Sequence, residues 1–205
     1  LIALTGDLVD GSVPHLGGTA ALFADLRARH GVYVVNGNHE YYSGEKSWAQ
    51  EYQRLGLILL KNQHRVIEHH GARLVVAGVT DYSAAAFDPT EASDPQRALA
   101  QAPEGLIRIL LAHQPRSAAA AEQAGIDLQL SGHTHGGQLY VPGVGTPVVP
   151  SRYGQKYASG WVEGPHYPVY VSRGVGTSSL PVRLGVPPEV TLFVLRRGPR
   201  GLLRA

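Results

Sequence analysis

Short apolar runs alternate along the chain with segments of helical periodicity. The runs predict buried strands over residues 1–4, 32–35, 57–60, 65–68, 74–79, 107–112, 128–130, 169–172 and 190–195. Apolar residues spaced three and four apart predict helices over 19–29, 45–55, 96–101 and 116–123. Residues 140–164 are rich in Gly and Pro and predict a long ordered loop. This order predicts an α/β domain with a mixed sheet, or with two sheets packed between helices.

Composition narrows the class of protein. The 205 residues are enough for one domain with a sizeable core. Lys and Arg are scattered and the formal net charge is only +2, so we expect no nucleic-acid-binding patch. The chain contains no Cys, which excludes disulfides, thiolate zinc sites and a thiol nucleophile. No apolar run approaches the roughly 20 residues that span a bilayer, so the chain as given is expected to be soluble.

The chain opens inside an apolar run at Leu1 and contains no Met. We therefore expect residues 1–205 to be a single, N-terminally incomplete domain whose first strand or strands lie upstream. An upstream segment would also hide a membrane anchor or an export signal. The sequence does not determine the compartment or the oligomeric state.

Polar side chains follow several of the predicted strands at the point where each strand ends. Asp7, Asn38, His113 and His133 all lie just past an apolar run, and His135 follows His133 in a glycine-rich bend. Each residue alone is better explained as a turn, capping or strand-end residue. Because ligand sites of open α/β sheets gather at the carboxyl ends of the strands, the full set predicts a metal centre.

The carboxylate, amide and imidazole donor atoms indicate which metal ions the site would bind. Oxygen and nitrogen ligands without sulfur suit Mn, Fe, Zn, Co or Ni. Asp7 is the best candidate to bridge two cations, since a carboxylate can bind both and a neutral imidazole ordinarily cannot. His39 directly follows a candidate ligand and would donate a hydrogen bond or a proton to a developing oxyanion. Asp81 also ends a strand, but capping of the following loop explains it equally well.

Four blocks of sequence resemble one known family. They are Gly6-Asp7-Leu8-Val9-Asp10, Gly37-Asn38-His39-Glu40, His113, and Gly132-His133-Thr134-His135. In order and spacing these blocks are similar to four of the five blocks of the calcineurin-like metallophosphoesterases. The segments 150–154, 170–177 and 188–191 resemble the bacterial YkuE/YaeI-type branch of that family.

The resemblance implies a fold, a cofactor and a mechanism. The fold would be a four-layer α/β/β/α sandwich with a dinuclear metal site between its two sheets. Asp7 would bridge the two divalent cations, Asn38, His113 and His133 would complete one of them, and His135 would bind the other. A metal-bound hydroxide would attack the phosphorus of a phosphoester, and His39 would assist the leaving group.

One block of the family is absent. Its Asp-x-His block supplies two ligands to the metal shared with His135, and no Asp-x-His occurs in this chain. We therefore expect this chain alone to be inactive or poorly active, and we expect an upstream segment to restore hydrolysis.

The leading hypothesis is a metal-dependent phosphoester hydrolase of the phosphodiesterase or pyrophosphatase type. A narrower hypothesis takes a lipid-linked or nucleotide-sugar phosphoester at a membrane, with Arg152, Lys156 and Arg173 contacting phosphate oxygens. The competing class is a non-catalytic scaffold of the same fold that binds a protein partner.

Overall fold

The computed structural model describes residues 1–150, 154–196 and 198. Its strands are β1 (Ile2–Leu4), β2 (Val32–Val34), β3 (Ile58–Leu59), β4 (Gln63–His69), β5 (Ala72–Gly78), β6 (Ile107–Leu111), β7 (Leu128–Ser131), β8 (Gly160–Glu163) and β9 (Pro168–Val171). Its α-helices are α1 (Val13–Ala20), α2 (Asn38–Tyr42), α3 (Glu45–Arg54), α4 (Pro95–Ala98) and α5 (Ser117–Ala120). Short 3-10 helices cover Ala21–Asp25, Ala84–Ala86, Pro89–Glu91, Glu122–Ala124, His135–Gly137 and Gly154–Tyr157.

The strands form two separate sheets. The first sheet is parallel and has the order β1-β2-β3. The second sheet has the order β4-β5-β6-β7-β9-β8, with β5, β6, β7 and β9 parallel and with antiparallel strands at both edges. Because the central strands of both sheets are parallel, the residues that follow them collect at the carboxyl ends.

Alternation along the buried strands produces four layers. Tyr33 of β2 faces the second sheet and packs with Val76 of β5 between the two sheets. Val34, its neighbour in β2, faces the other way and packs with Trp48 and Tyr52 of α3. On the second sheet, residues next to Val76 pack with the alanines that follow His113. Each sheet therefore has one face on the other sheet and one on helices, which confirms the predicted α/β/β/α sandwich.

The first helix differs from its prediction. Residues 19–29 were expected to be helical, but α1 begins at Val13 and a 3-10 helix ends at Asp25. Pro14 lies in the first turn of α1. Backbone N–H groups in that turn have no acceptor within the helix, so the N–H that proline lacks costs no hydrogen bond. Val13 and Leu16 pack against the first sheet. The early start is therefore stabilised by burial, and Gly17 next to Gly18 hid that pattern in the sequence.

Two predictions near the C-terminus were wrong. The predicted loop 140–164 contains the 3-10 helix Gly154–Tyr157 and strand β8, which pairs with β9. The predicted strand 190–195 has no strand pairing within the described part of the chain. Val190 and Leu192 are 89% and 87% exposed there. A strand requires a hydrogen-bonded neighbour as well as an alternating sequence, and these residues have none among those described.

Candidate metal centre

A tight turn after β1 presents Asp7 to the gap between the sheets. Gly6 and Asp7 both have positive φ, at 88° and 54°, so the backbone leaves β1 in a left-handed conformation. Gly37 lies directly against this turn. A Cβ on Gly37 would lie 2.1 Å from Oδ1 of Asp7 and 2.6 Å from its backbone nitrogen. Glycine is therefore required at position 37 by the close approach of the two loops.

The buried carboxylate of Glu40 holds these two loops together. Its Oε2 accepts hydrogen bonds from the backbone N–H of Asp7 at 3.0 Å and of Gly37 at 2.6 Å. Its Oε1 accepts from the backbone N–H of Leu8 and from the hydroxyl of Tyr52, both at 2.8 Å. In the sequence Glu40 stands out only as the last residue of the block Gly37-Asn38-His39-Glu40, which gives no sign of this role. Its position fixes the backbone that carries the first candidate ligand.

His113 lies at the centre of the site and is fully buried. Its Nδ1 is 2.7 Å from the carbonyl oxygen of Thr5, which can only accept, so Nδ1 carries the hydrogen. Its Nε2 therefore turns toward Oδ2 of Asp7 at 3.0 Å, Oδ1 of Asn38 at 3.2 Å and Nδ1 of His133 at 3.1 Å. Ligand atoms that surround a cation at about 2.1 Å lie roughly 3 Å apart. These four residues therefore fit a divalent cation in both spacing and donor type.

The pKa values of the site residues follow from their burial and from their contacts with one another. Burial would raise the pKa of Asp7, but the hydrogen bond and charge of His113 outweigh burial and lower that pKa to about 2. Burial would lower the pKa of His113, but Asp7 raises it to about 9. Burial and the charge of His113 lower the pKa of His133 to about 4. Asp7 is therefore anionic and His133 neutral at pH 7, which are the states that bind metals.

The remaining site residues lie around this cluster at different distances. Asp7, His113 and His133 form the one group of His and acidic side chains within the described residues that is close enough to share a cation. His135 has positive φ at the start of its 3-10 helix, and burial lowers the pKa of its ring. His39 donates its backbone N–H to Oδ1 of Asp7 at 2.9 Å, and its Nδ1 lies 2.7 Å from Oδ1 of Asp10.

Of the three residues predicted to contact phosphate oxygens, two contact other side chains of this chain. Both Nε and a terminal nitrogen of Arg173 lie 2.5 Å from Oε2 of Glu189. Lys156 lies over the ring of Tyr157, 5.2 Å from its centroid. Arg152 lies outside the described residues. The substrate-binding role of these three side chains stays a prediction.

Asp81 caps the loop that follows it, which was one of its two predicted roles. It is fully buried, and its Oδ1 accepts from the backbone N–H and the hydroxyl of Ser83 at 2.8 and 2.5 Å. Both of its oxygens accept from Nε2 of Gln114, at 2.9 and 3.0 Å. Asp81 thereby fixes the segment that carries His113.

A cleft of about 210 Å³ opens beside the cluster. Asn38 and His133 form part of its wall, and Tyr42, Gln114 and Arg116 form another part. Arg116 was not predicted to lie at the site, because an arginine after Gln-Pro carries no motif signal. Only the folded chain brings it to the same cleft as the candidate ligands.

Comparison with known proteins agrees with this geometry. The family model for calcineurin-like phosphoesterases matches residues 1–137, which is well over half of the chain. The chain belongs to the calcineurin-like metallophosphoesterase family. Membership in this family implies divalent metal ions, and the cluster around His113 is consistent with them.

Relatives of this metallophosphoesterase domain occur in animals and bacteria. The chain is 35% identical over 197 residues to the putative metallophosphoesterase F40B5.2 of Caenorhabditis elegans, covering 90% of this chain and 39% of that protein. It is 30% identical over 200 residues to the uncharacterized metallophosphoesterase YkuE of Bacillus subtilis, covering 96% and 68% respectively. A Bos taurus transmembrane protein with a metallophosphoesterase domain is 34% identical over 206 residues, covering 96% of this chain and 46% of that protein.

A solved structure supports the fold. The sulfate thiohydrolase SoxB of Thermus thermophilus is similar with a TM-score of 0.56 at 19% identity, over 83% of this chain and 33% of SoxB.

Within the described residues, no helix is long and apolar enough to cross a bilayer.

Proposed function

We propose that this chain is the catalytic domain of a phosphoester hydrolase of the phosphodiesterase or pyrophosphatase type that works with two divalent cations. The observation that carries the proposal is the convergence of Asp7, Asn38 and His133 on Nε2 of His113, at distances of 3.0 to 3.2 Å. Manganese, iron, zinc, cobalt and nickel all suit such a set. When bound, the cations would polarise the phosphate and activate water for attack.

The side chains divide the remaining work. Asp7 would hold both cations from a backbone that Glu40 and Gly37 keep in place. His39 would face the leaving oxygen. Its Nδ1 lies 2.7 Å from Oδ1 of Asp10, which orients the ring, and the second ring nitrogen would donate a hydrogen bond or a proton to the departing alkoxide.

The second cation needs further ligands. We infer that it is bound by Asp7, His135 and an Asp-x-His segment that this chain does not contain. The free edge of β1 supports this inference, because β1 pairs only with β2 among the described residues. A parallel strand added there would end beside Asp7, at the same edge of the sheet. The domain would then extend beyond residues 1–205.

The test combines metal content with hydrolysis of bis-p-nitrophenyl phosphate in added Mn²⁺. It is run on this chain and on a longer form that includes the upstream segment of the parent protein, with His133→Ala as the inactive control. Turnover in the longer form that is lost in His133→Ala would support the proposal. Bound metal without turnover in either form would count against hydrolysis and favour a scaffold that binds a protein partner.

The name of the bovine relative supports a further proposal about location. That relative is called a transmembrane protein, so we propose that the whole protein associates with a membrane through a segment outside residues 1–205. Fractionation of cells that express the full-length protein tests this, and recovery in the soluble fraction would refute it.

A further inference from the structure

One cationic side chain in the cleft beside the metal centre has no anionic or hydrogen-bonding partner among the described residues. Arg116 lines the cleft together with Asn38 and His133, and no ion pair or hydrogen bond of its guanidinium occurs among the described residues. Its Nε is buried. A buried donor without an acceptor costs about 1–3 kcal/mol, and more when charged. The guanidinium is therefore available to an acceptor that enters the cleft.

The surroundings hold Arg116 in one orientation. Its guanidinium carbon lies 3.9 Å from the centroid of the Tyr82 ring, so the planar group stacks on the aromatic face. The nearby carboxylate of Asp81 is already occupied, because it accepts hydrogen bonds from Ser83 and from Gln114. Asp81 does not line the cleft, whereas Arg116 does. A guanidinium held in this way presents its fork of donors to an anion.

The size and charge of the cleft define what it receives. Arg116 is the one residue among the described lining residues with a fixed charge. The volume of about 210 Å³ is smaller than the roughly 300–1,000 Å³ of a pocket for a whole drug-sized ligand. It is large enough for one more phosphoryl group beside the group that is bound at His133. Guanidinium groups bind phosphate oxygens in a bidentate manner.

We propose that Arg116 binds a second phosphoryl group of the substrate, next to the phosphorus that is attacked, so that the preferred substrates are pyrophosphate diesters of the nucleoside-diphosphate type. This inference rests on the proposed function and deepens it. Tyr82 acts as a positioning residue for Arg116. A simple phosphodiester would occupy the metal centre and leave the Arg116 subsite without an anion.

The first experiment compares two substrates in the metal-loaded, upstream-extended protein. UDP-glucose carries a second phosphoryl group, and bis-p-nitrophenyl phosphate does not. We expect Arg116→Gln to lower kcat/KM for UDP-glucose by about 10- to 100-fold and to change kcat/KM for bis-p-nitrophenyl phosphate by less than about threefold. Arg116→Lys should restore part of the loss. Arg65→Gln removes the same charge from an exposed site on β4 and should change neither value.

A binding measurement keeps the inference independent of turnover. Calorimetry with ADP and AMP in the presence of a chelator measures how much the second phosphoryl group adds without metal. We expect ADP to bind the unsubstituted chain about tenfold more tightly than AMP, and Arg116→Gln to abolish the difference. Equal loss of both substrates in Arg116→Gln, or an ADP preference that survives it, would overturn the inference. Absence of all hydrolysis together with an Arg116-dependent ADP preference would instead refute only the proposed function.

Discussion

Glu40 offers the sharpest test of how the metal centre is supported. Its carboxylate is fully buried and accepts four hydrogen bonds, three from backbone N–H groups and one from the Tyr52 hydroxyl. Burial, followed by the charge of Asp7, raises its pKa, while the charge of His113 and the hydrogen bonds from Gly37 and Leu8 lower it. The substitution Glu40→Gln keeps the shape and replaces one acceptor oxygen with an NH₂ group.

The geometry determines which orientation the new amide takes. An NH₂ group in place of Oε2 would face the backbone N–H groups of Asp7 and Gly37, and neither can turn away. An NH₂ group in place of Oε1 would face only one backbone N–H, that of Leu8, because the Tyr52 hydroxyl can rotate and accept. We therefore expect the NH₂ group in place of Oε1. In that orientation one hydrogen bond to a charged acceptor is lost, and the NH₂ group faces the backbone N–H of Leu8. The expected loss of unfolding free energy is about 2–3 kcal/mol.

Urea unfolding followed by tryptophan fluorescence measures this loss. Trp48 is fully buried beside Tyr52 and reports on the region directly. With a slope of about 2–3 kcal/mol/M, the midpoint should fall by roughly 1 M. Tyr52→Phe removes one hydrogen bond to the same carboxylate without placing two donors against each other, and it should cost about 1.5 kcal/mol. If Glu40→Gln lies within about 0.5 kcal/mol of the unsubstituted protein, or costs no more than Tyr52→Phe, the assigned role of Glu40 is wrong.

Three further outcomes are expected. Gly37→Ala should abolish metal binding, since its Cβ would overlap Asp7. Gly18→Ala in α1, where nothing lies within 4 Å, should stabilise the chain by up to about 1 kcal/mol in urea unfolding. If the two variants changed metal binding and stability alike, the close approach of Gly37 to Asp7 would be contradicted. His113→Ala should weaken Mn²⁺ binding in equilibrium dialysis by more than about 100-fold, and unchanged affinity would remove His113 from the ligand set. Glu189→Gln should cost about 1–2 kcal/mol at pH 7, with the difference fading in unfolding measurements below the ordinary carboxyl pKa.

The pH dependence of the Glu189 prediction follows from the direction of its shift. Burial would raise the pKa of Glu189, but hydrogen bonds from the backbone and side chain of Arg173 outweigh burial and lower it from 4.5. A carboxyl group with a lowered pKa contributes stability that is complete above the unfolded-state value and is lost as pH falls through the folded-state value. A difference between the two proteins that persists undiminished at pH 3 would show that the Glu189 charge is not its cause.

Much of the metal centre could be predicted because its information is local. A buried parallel strand requires a continuous apolar run, and polar residues within about three positions after the run lie at its carboxyl end. Asp7, Asn38, His113 and His133 were found by that rule. The same rule does not measure distance, so it could not separate the tight cluster around His113 from His135, which lies outside the group of three.

Pairing and burial between distant segments were decided only by the tertiary structure. The segment 190–195 alternates like a strand, but strand formation depends on a neighbour that the sequence does not identify. The early start of α1 depends on packing of Val13 and Leu16 against a sheet, and such packing overrides the weak local preference of a glycine-containing helix.

Sequence by itself therefore determined an α/β pattern of buried strands and helices and the candidate ligands that follow the strands, because strand patterns and donor chemistry are properties of short segments. The tertiary structure alone decided which charged side chains are paired by hydrogen bonds within the chain and which have no such partner among the described residues. Glu40 meets the backbone of Asp7 across 33 positions of sequence, and Arg116 stacks on Tyr82 from a different loop. Such contacts depend on how two sheets close over one another, and no periodicity in the chain encodes that closure.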